Sequence, residues 1–456
     1  LFIANAEEVM IVLADGSENT LTDGDAYVYA SADEDEPNAA IFSKADLTIT
    51  GTGALTVEGN DNDAITSKDG LVIHSGTIVV TAADDGIRGK DYLVIEDGDI
   101  TVNAQGDALK ADNEEDTDRG FIALLGGTLD LTAGGDAMDA ETDVLIATGN
   151  VNIVSGGGSG SAVGEDDSAK GIKGSVAVII DGGTLAIDAA DDAVHSNGAI
   201  VINEGVLQIA AGDDAIHADA TVTINDGDIR ITDSYEGIES AVITINDGEI
   251  RLVASDDGIN VSDGSGATAM GPGMGGGMRP GGQGVPPGGA AMPGQQVAAY
   301  TGANYLYING GLIVVKADGD GLDANGAIVM TDGVVLVDGP TNSGNGALDY
   351  DGGFKMSGGV LVATGSAGMA QAPDSSSSQN SLLVNFTAAQ PANTLVTILD
   401  SNGESVLTYA PSKQYSSLAF SSPALETGAT YAIYTGGSST GTATDGLYEG
   451  GSYTPG

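Results

Sequence analysis

The chain has 456 residues, and its 66 acidic and 14 basic side chains give a formal charge of -52. That balance excludes a nucleic-acid partner, because phosphate recognition needs a basic footprint. With no Cys there are no disulfides or thiolate metal sites, and no apolar run reaches the length needed to span a membrane.

The chain opens on the apolar strand "LFIANAEEVMIVL", starting at Leu1 without an initiating Met or a signal peptide, as a processed or truncated product would. Apolar residues make up 41% of the chain in short β-branched runs, so the acidity does not mean disorder. Aromatics are only 4% and Trp is absent, which predicts thin cores of Val, Ile, Leu and Ala. A small-then-apolar dipeptide then recurs, its small residues being Ala64, Gly86, Ala108, Ala137, Gly171, Ala193, Ala215, Gly237, Gly258, Gly321 and Ala347. Five of the intervals are 22 residues, and longer ones contain insertions such as "NEEDTD" and "GGGSGSAVGEDDS". Each copy continues into alternating segments separated by a Gly turn, as in "VTINDGDIRI" and "ITINDGEIRL". Alternation with period two predicts strands, and Asn-Asp-Gly predicts tight turns. Three short strands per 22 residues is the period of one coil of a parallel β-helix, expected over residues 1–365. Ordinary hairpins would have no reason to keep that register. A Gly, Pro and Met-rich insertion at 265–299 reads as a loop between coils, and 366–380 reads as a linker. Residues 381–456 predict a small C-terminal antiparallel β module.

Stacking turns each repeat position into a column whose members lie about 4.8 Å apart. Before the small residue runs an acidic column that includes Asp85, Asp107, Asp136, Asp192, Asp214, Asp257 and Asp320, with Asp84, Asp191, Asp213 and Asp256 beside it. Like charges at that spacing repel by roughly 3 to 4 kcal/mol at an effective dielectric near 20. Calcium, which takes carboxylate oxygens at about 2.3 to 2.6 Å, would bridge neighbouring rungs; hydrated turn-capping Asp residues are the alternative. The small column itself is either a tight corner or a floor where a ligand approaches the backbone. Two residues beyond it lies a polar column: Thr66, Arg88, Lys110, Asp139, Lys173, His195, His217, Glu239, Asn260, Asp323 and Asp349. Asp139 and Asp323 join the calcium candidates. A basic strip of Arg88, Lys90, Lys110, Lys173, His195 and His217 suits an anionic polysaccharide, with local ion pairs as the alternative. No catalytic motif is present. The remaining catalytic option is Lys90, Lys110 or Lys173 acting beside calcium as the base of a uronate lyase, and a non-catalytic role is expected.

The segments "ENTLTDGDAY", "AITSKDGLVIHSGTIVVTAADDGIRGKDYLVIEDGDI" and "DGLYEGGSYTPG" resemble the bacterial family of carbohydrate-binding domain-containing proteins. The resemblance implies a secreted or surface-anchored, right-handed parallel β-helix, distantly similar to pectate lyases, that binds calcium and acidic polysaccharide. It also implies calcium ligands at matching positions such as Asp84, Asp85, Asp107 and Asp136. Members of that family usually have further coils before the segment matching "VMIVLADGSENTLTDG", so the first coil here is expected to be open or covered by something else. The functional expectation is an extracellular or cell-surface, calcium-loaded β-helix that binds polysaccharide. The rival is a filament subunit, a homopolymer joined head-to-tail through the coil ends and the C-terminal module.

Overall fold

The computed structural model describes residues 1–29, 31, 35–164, 167–262 and 302–456, and the whole 265–299 insertion lies outside them. Every described element is a strand, so no helix is long and apolar enough to cross a membrane. The strands stack in parallel from coil to coil as a 24-stranded and a 15-stranded sheet, the parallel β-helix expected from the repeat. One full coil runs through Ile87–Gly89, Tyr92–Ile95 and Asp99–Ala104, three short strands separated by corners. The next begins at Leu109–Ala111, with Ile87 in register with Leu109.

Period two and coil stacking together build the core. In Asp99–Ala104 burial alternates strictly, with Ile100, Val102 and Ala104 inward. Ile100 stacks on Ile78 below and Leu129 above, and the line continues through Val151, Leu185, Leu207 and Ile229. Each such side chain contributes about 1.5 to 3 kcal/mol when taken from water, which is how a chain poor in aromatics stays folded.

The small column is a corner, not a floor. Ala64, Ala108, Ala137, Ala193 and Ala215 are fully buried. A Cβ at Gly86 would lie 2.4 Å from Val102 Cγ1 and 2.6 Å from the carbonyl oxygen of Ala108. The position therefore faces the core and the next coil's backbone, where no ligand reaches.

The stack extends on the N-terminal side of the Ala64 coil. Ala39–Ser43 pairs in parallel with Asp63–Ser67, and Phe2–Ile3 pairs in turn with Phe42–Ser43. The Ala39–Ser43 coil keeps the small-then-apolar dipeptide in Ala40-Ile41, while Ala39 and Phe42 stand where the acidic and polar columns would be. The two ends also differ. The first coil presents Leu1, Phe2, Met10 and Val12, each 49% exposed or more. The last is covered by the chain itself. Tyr415–Ser421 pairs antiparallel with Val360–Gly365, and Ser381–Gln390 pairs with Tyr415–Ser421. Residues 366–380 cross the remaining edge, where the backbone N–H groups of Asp374 and Gln379 donate to the carbonyls of Phe354 and Met356. Buried Asp338 ties the C-terminal strands down, accepting from Tyr409 Oη at 2.9 Å and Ser412 N at 2.7 Å.

Candidate functional site

The acidic column owes its existence first to the backbone. At most corners before a small residue the backbone N–H has no ladder partner, and the carboxylate one coil earlier supplies it; Asp192 N instead donates to Asp191 Oδ1 at 2.9 Å. Asp107 N donates to Asp85 Oδ1 at 3.0 Å, Asp136 N to Asp107 Oδ1 at 2.8 Å, and Asp214 N to Asp192 Oδ1 at 3.1 Å. Asp320 N donates to Asp257 Oδ1 at 2.6 Å. An orphaned corner N–H would be costly, which explains why the position is acidic so consistently. Asp84 and Asp213 sit beside this column and are exposed, and Asp191 and Asp256 are half-buried.

The second carboxylate oxygen faces the polar column, which is continuous in register. Arg88, Lys110, Asp139, Lys173, His195, His217, Glu239, Asn260, Asp323 and Asp349 are successive strand partners. Lys90 is not among them: it lies two residues past Arg88, around the next corner. Its side chain has no ion pair or hydrogen bond among the described residues.

The column divides into three sections. In the first, ammonium and guanidinium groups stand between the acidic rungs. Lys110 Nζ is 2.5 Å from Asp107 Oδ2 and 3.3 Å from Asp85 Oδ2. Lys173 Nζ is 3.2 Å from Asp136 Oδ2 and 3.0 Å from Asp139 Oδ1. Arg88 pairs with Asp112 at 2.6 Å. Burial disfavours the charge on Lys173, but Asp136 and Asp139 outweigh it and push its amine up to about 12. Burial likewise opposes Lys110, and Asp107 and Asp85 outweigh it, raising its amine. Here the protein's own cations pair with the ladder. Lys170 does the same between Asp191, at 2.9 Å, and Asp192, at 2.8 Å. The sequence signal for it was available, since Lys170 directly precedes Gly171 and so occupies a rung of the acidic column.

The middle section carries imidazoles. His195 Nδ1 lies 2.9 Å from Asp192 Oδ2, and His217 Nδ1 lies 3.6 Å from the same atom and 3.4 Å from Asp214 Oδ2.

The last section has no described basic side chain, only Glu236, Glu239, Asp257, Asp320, Asp323 and Asp349 around Asn260. Oxygens of Asp257, Asp320 and Asp323 lie within 4.8 Å of one another. Burial, and after it neighbouring carboxylates, push Asp257 up to about 7 and Asp323 up to about 8. Glu236 is pushed up to about 8 by burial and then by Glu239. Asn260 is buried, and its Nδ2 donates to Glu236 Oε2 at 2.8 Å. Its Oδ1 is buried without a hydrogen-bond partner among the described residues.

Residues 1–215 match the family model described as carbohydrate-binding domain-containing protein. A protein of that description from Acetivibrio thermocellus is 48% identical over 157 residues, which are 34% of this chain and 55% of the relative. A solved gadolinium derivative of the polysaccharide lyase-like protein from C. thermocellum shares 38% sequence identity. The match covers 34% of this chain and 63% of that one, with a TM-score of 0.34. The chain therefore spans a little over half the length of the curated relative it matches.

Proposed function

From the match of residues 1–215 to the carbohydrate-binding domain-containing family, we propose that this chain is an extracellular or cell-surface β-helix that binds anionic polysaccharide along its polar column and holds calcium at the column's acidic end. The observation that carries the calcium half is the unpartnered Oδ1 of Asn260 beside Asp257, Asp320 and Asp323. These are hard oxygen donors, and their spacing suits an ion with oxygen ligands at about 2.3 to 2.6 Å. Bound there, calcium would supply positive charge where the column has none, for the protein's carboxylates and for those of a uronate chain. Magnesium fits less well, because it demands shorter bonds and near-ideal octahedral geometry.

In the first section Lys110 and Lys173 remain about a quarter exposed, so each has an ammonium face left for a polymer carboxylate. The same pairing argues against lyase chemistry. A general base needs a pKa near the working pH, and both amines are held protonated by their carboxylates. The expected activity is binding without cleavage, and incubation with polygalacturonate should yield no absorbance from unsaturated product.

The polysaccharide half has its own test. Binding should favour polygalacturonate over neutral polymers and weaken as salt rises, as ion pairs near a surface do. The triple variant Arg88→Gln, Lys110→Gln, Lys173→Gln is expected to lose most of that preference in an affinity gel. Wild-type retardation by the triple variant would remove the strip from the account.

A further inference from the structure

The imidazole section has a chemistry that the carboxylate end lacks. His195 and His217 are register partners one coil apart, with rings edge-to-face and centroids 5.1 Å apart. Both direct Nδ1 at Asp192 Oδ2, at 2.9 and 3.6 Å, and Asp214 Oδ2 lies 3.4 Å from His217 Nδ1. The two carboxylates are nearly fully buried, and each commits Oδ1 to a backbone N–H, those of Asp214 and Glu236. What remains for the rings is Oδ2 in each case, and Asp192 Oδ2 also accepts from Lys170 Nζ at 2.8 Å.

The far side of His195 fixes its tautomer. Nε2 meets Asn197 Oδ1 at 3.0 Å, and an amide oxygen only accepts, so Nε2 carries the proton. In the neutral ring, Nδ1 then turns a lone pair toward a carboxylate oxygen 2.9 Å away. Either a second proton on the ring or a metal ion relieves that contact, and a metal ion is the one that also accounts for His217. The contacts of His217 are too long for hydrogen bonds. They do match the edge of about 3.3 Å that separates two ligands of a tetrahedral ion bound at about 2.0 to 2.1 Å.

The geometry points to a second metal site, for a borderline divalent transition ion of the zinc class, held by His195 Nδ1, His217 Nδ1 and Asp192 Oδ2. Asp214 Oδ2 or water completes four-coordination. Imidazole donors suit zinc-class ions and not calcium, whose ligands are oxygens. Asn197 is the outer partner that orients a ligating imidazole. Lys170, now shared between Asp191 and Asp192, would keep Asp191 when Asp192 turns to the ion. This assignment does not rest on the calcium or polysaccharide readings.

The test uses the full chain without an affinity tag, stripped with chelator, dialysed into millimolar calcium, and titrated calorimetrically with zinc chloride. We expect one zinc per chain, undisturbed by calcium. In the double variant His195→Gln, His217→Gln, affinity should fall by more than the 10- to 100-fold typical of losing an outer partner. The variant Asp257→Asn, Asp323→Asn should still bind zinc. No zinc uptake by the wild type, or equal uptake by the histidine variant, overturns the proposal. Zinc-edge X-ray absorption on the wild type gives a readout that needs no variant: two imidazoles are expected, and a spectrum without imidazole scattering overturns it.

Discussion

Chelating calcium should lower the melting temperature of this chain, and the loss is expected to grow as the pH rises from about 5 to about 8. The groups responsible are Asp257, Asp323 and Glu236, whose folded pKa values of about 7, 8 and 8 stand above the ordinary 3.8 for Asp and 4.5 for Glu. Burial is the main cause of each shift, and nearby carboxylates add to it. A carboxyl raised in this way binds its proton more tightly folded than unfolded. The stability it contributes is complete below pH 4 and is lost as the pH climbs through the folded value. Within that window each group costs about 1.4 kcal/mol per pH unit in the metal-free chain. Calcium binds the assembled carboxylates and not the dispersed unfolded chain, so it should flatten the curve. Thermal melts at pH 5, 6.5 and 8, in calcium and in a chelator that keeps its affinity across that range, make the comparison. Identical melts at all three would remove the ion from the acidic end.

Gly258→Val should be among the most damaging single substitutions in the stack. A Cβ there would lie 2.3 Å from Val315 Cγ1 and 2.5 Å from the carbonyl oxygen of Gly321. That carbonyl accepts from Ile259 N at 3.2 Å, and Gly258 N itself donates to Asp320 O at 2.9 Å, so neither coil can retreat without breaking ladder bonds. Overpacking of this kind costs about 3 kcal/mol when the neighbours cannot give way. Gly24 is the control, because nothing lies within 4 Å of its Cβ position and a substitution there should change stability by under about 0.5 kcal/mol. Urea unfolding of Gly258→Val and Gly24→Val separates the two. Equal midpoints would mean that the small column is not the corner described here.

The columns were legible because each coil repeats the last in register, which makes a sequence interval a spatial neighbour. Ile65, Ile87 and Leu109 could be stacked on paper, and they are stacked in the fold. What the interval could not convey is direction. Asp85 was visible as a charge near Asp107, but not that one of its oxygens serves the Asp107 N–H and the other Lys110. The ladder therefore looked like unrelieved repulsion when half of its oxygen atoms were already committed to backbone. Lys90 shows the same limit, since two residues of sequence separation hide the corner that carries it away from Arg88. The Ala39–Ser43 coil lacks both column marks, with Ala39 opposite Asp63 and Phe42 opposite Thr66, so it is not among the repeat copies. The unpartnered Asn260 Oδ1 has no sequence signature, because it follows from the amide's other end reaching Glu236.

The claim at the centre of this account is that one column joins a polymer's carboxylates to the protein through its own cations at one end and through calcium at the other. Calorimetric titration of polygalacturonate into the chain, with and without millimolar calcium, tests it most directly. The account predicts binding that tightens at least tenfold with calcium, and a calcium effect that disappears in Asp257→Asn, Asp323→Asn while the weaker calcium-free binding survives. Binding of equal strength with and without calcium, or a calcium effect that persists undiminished in that variant, would contradict it.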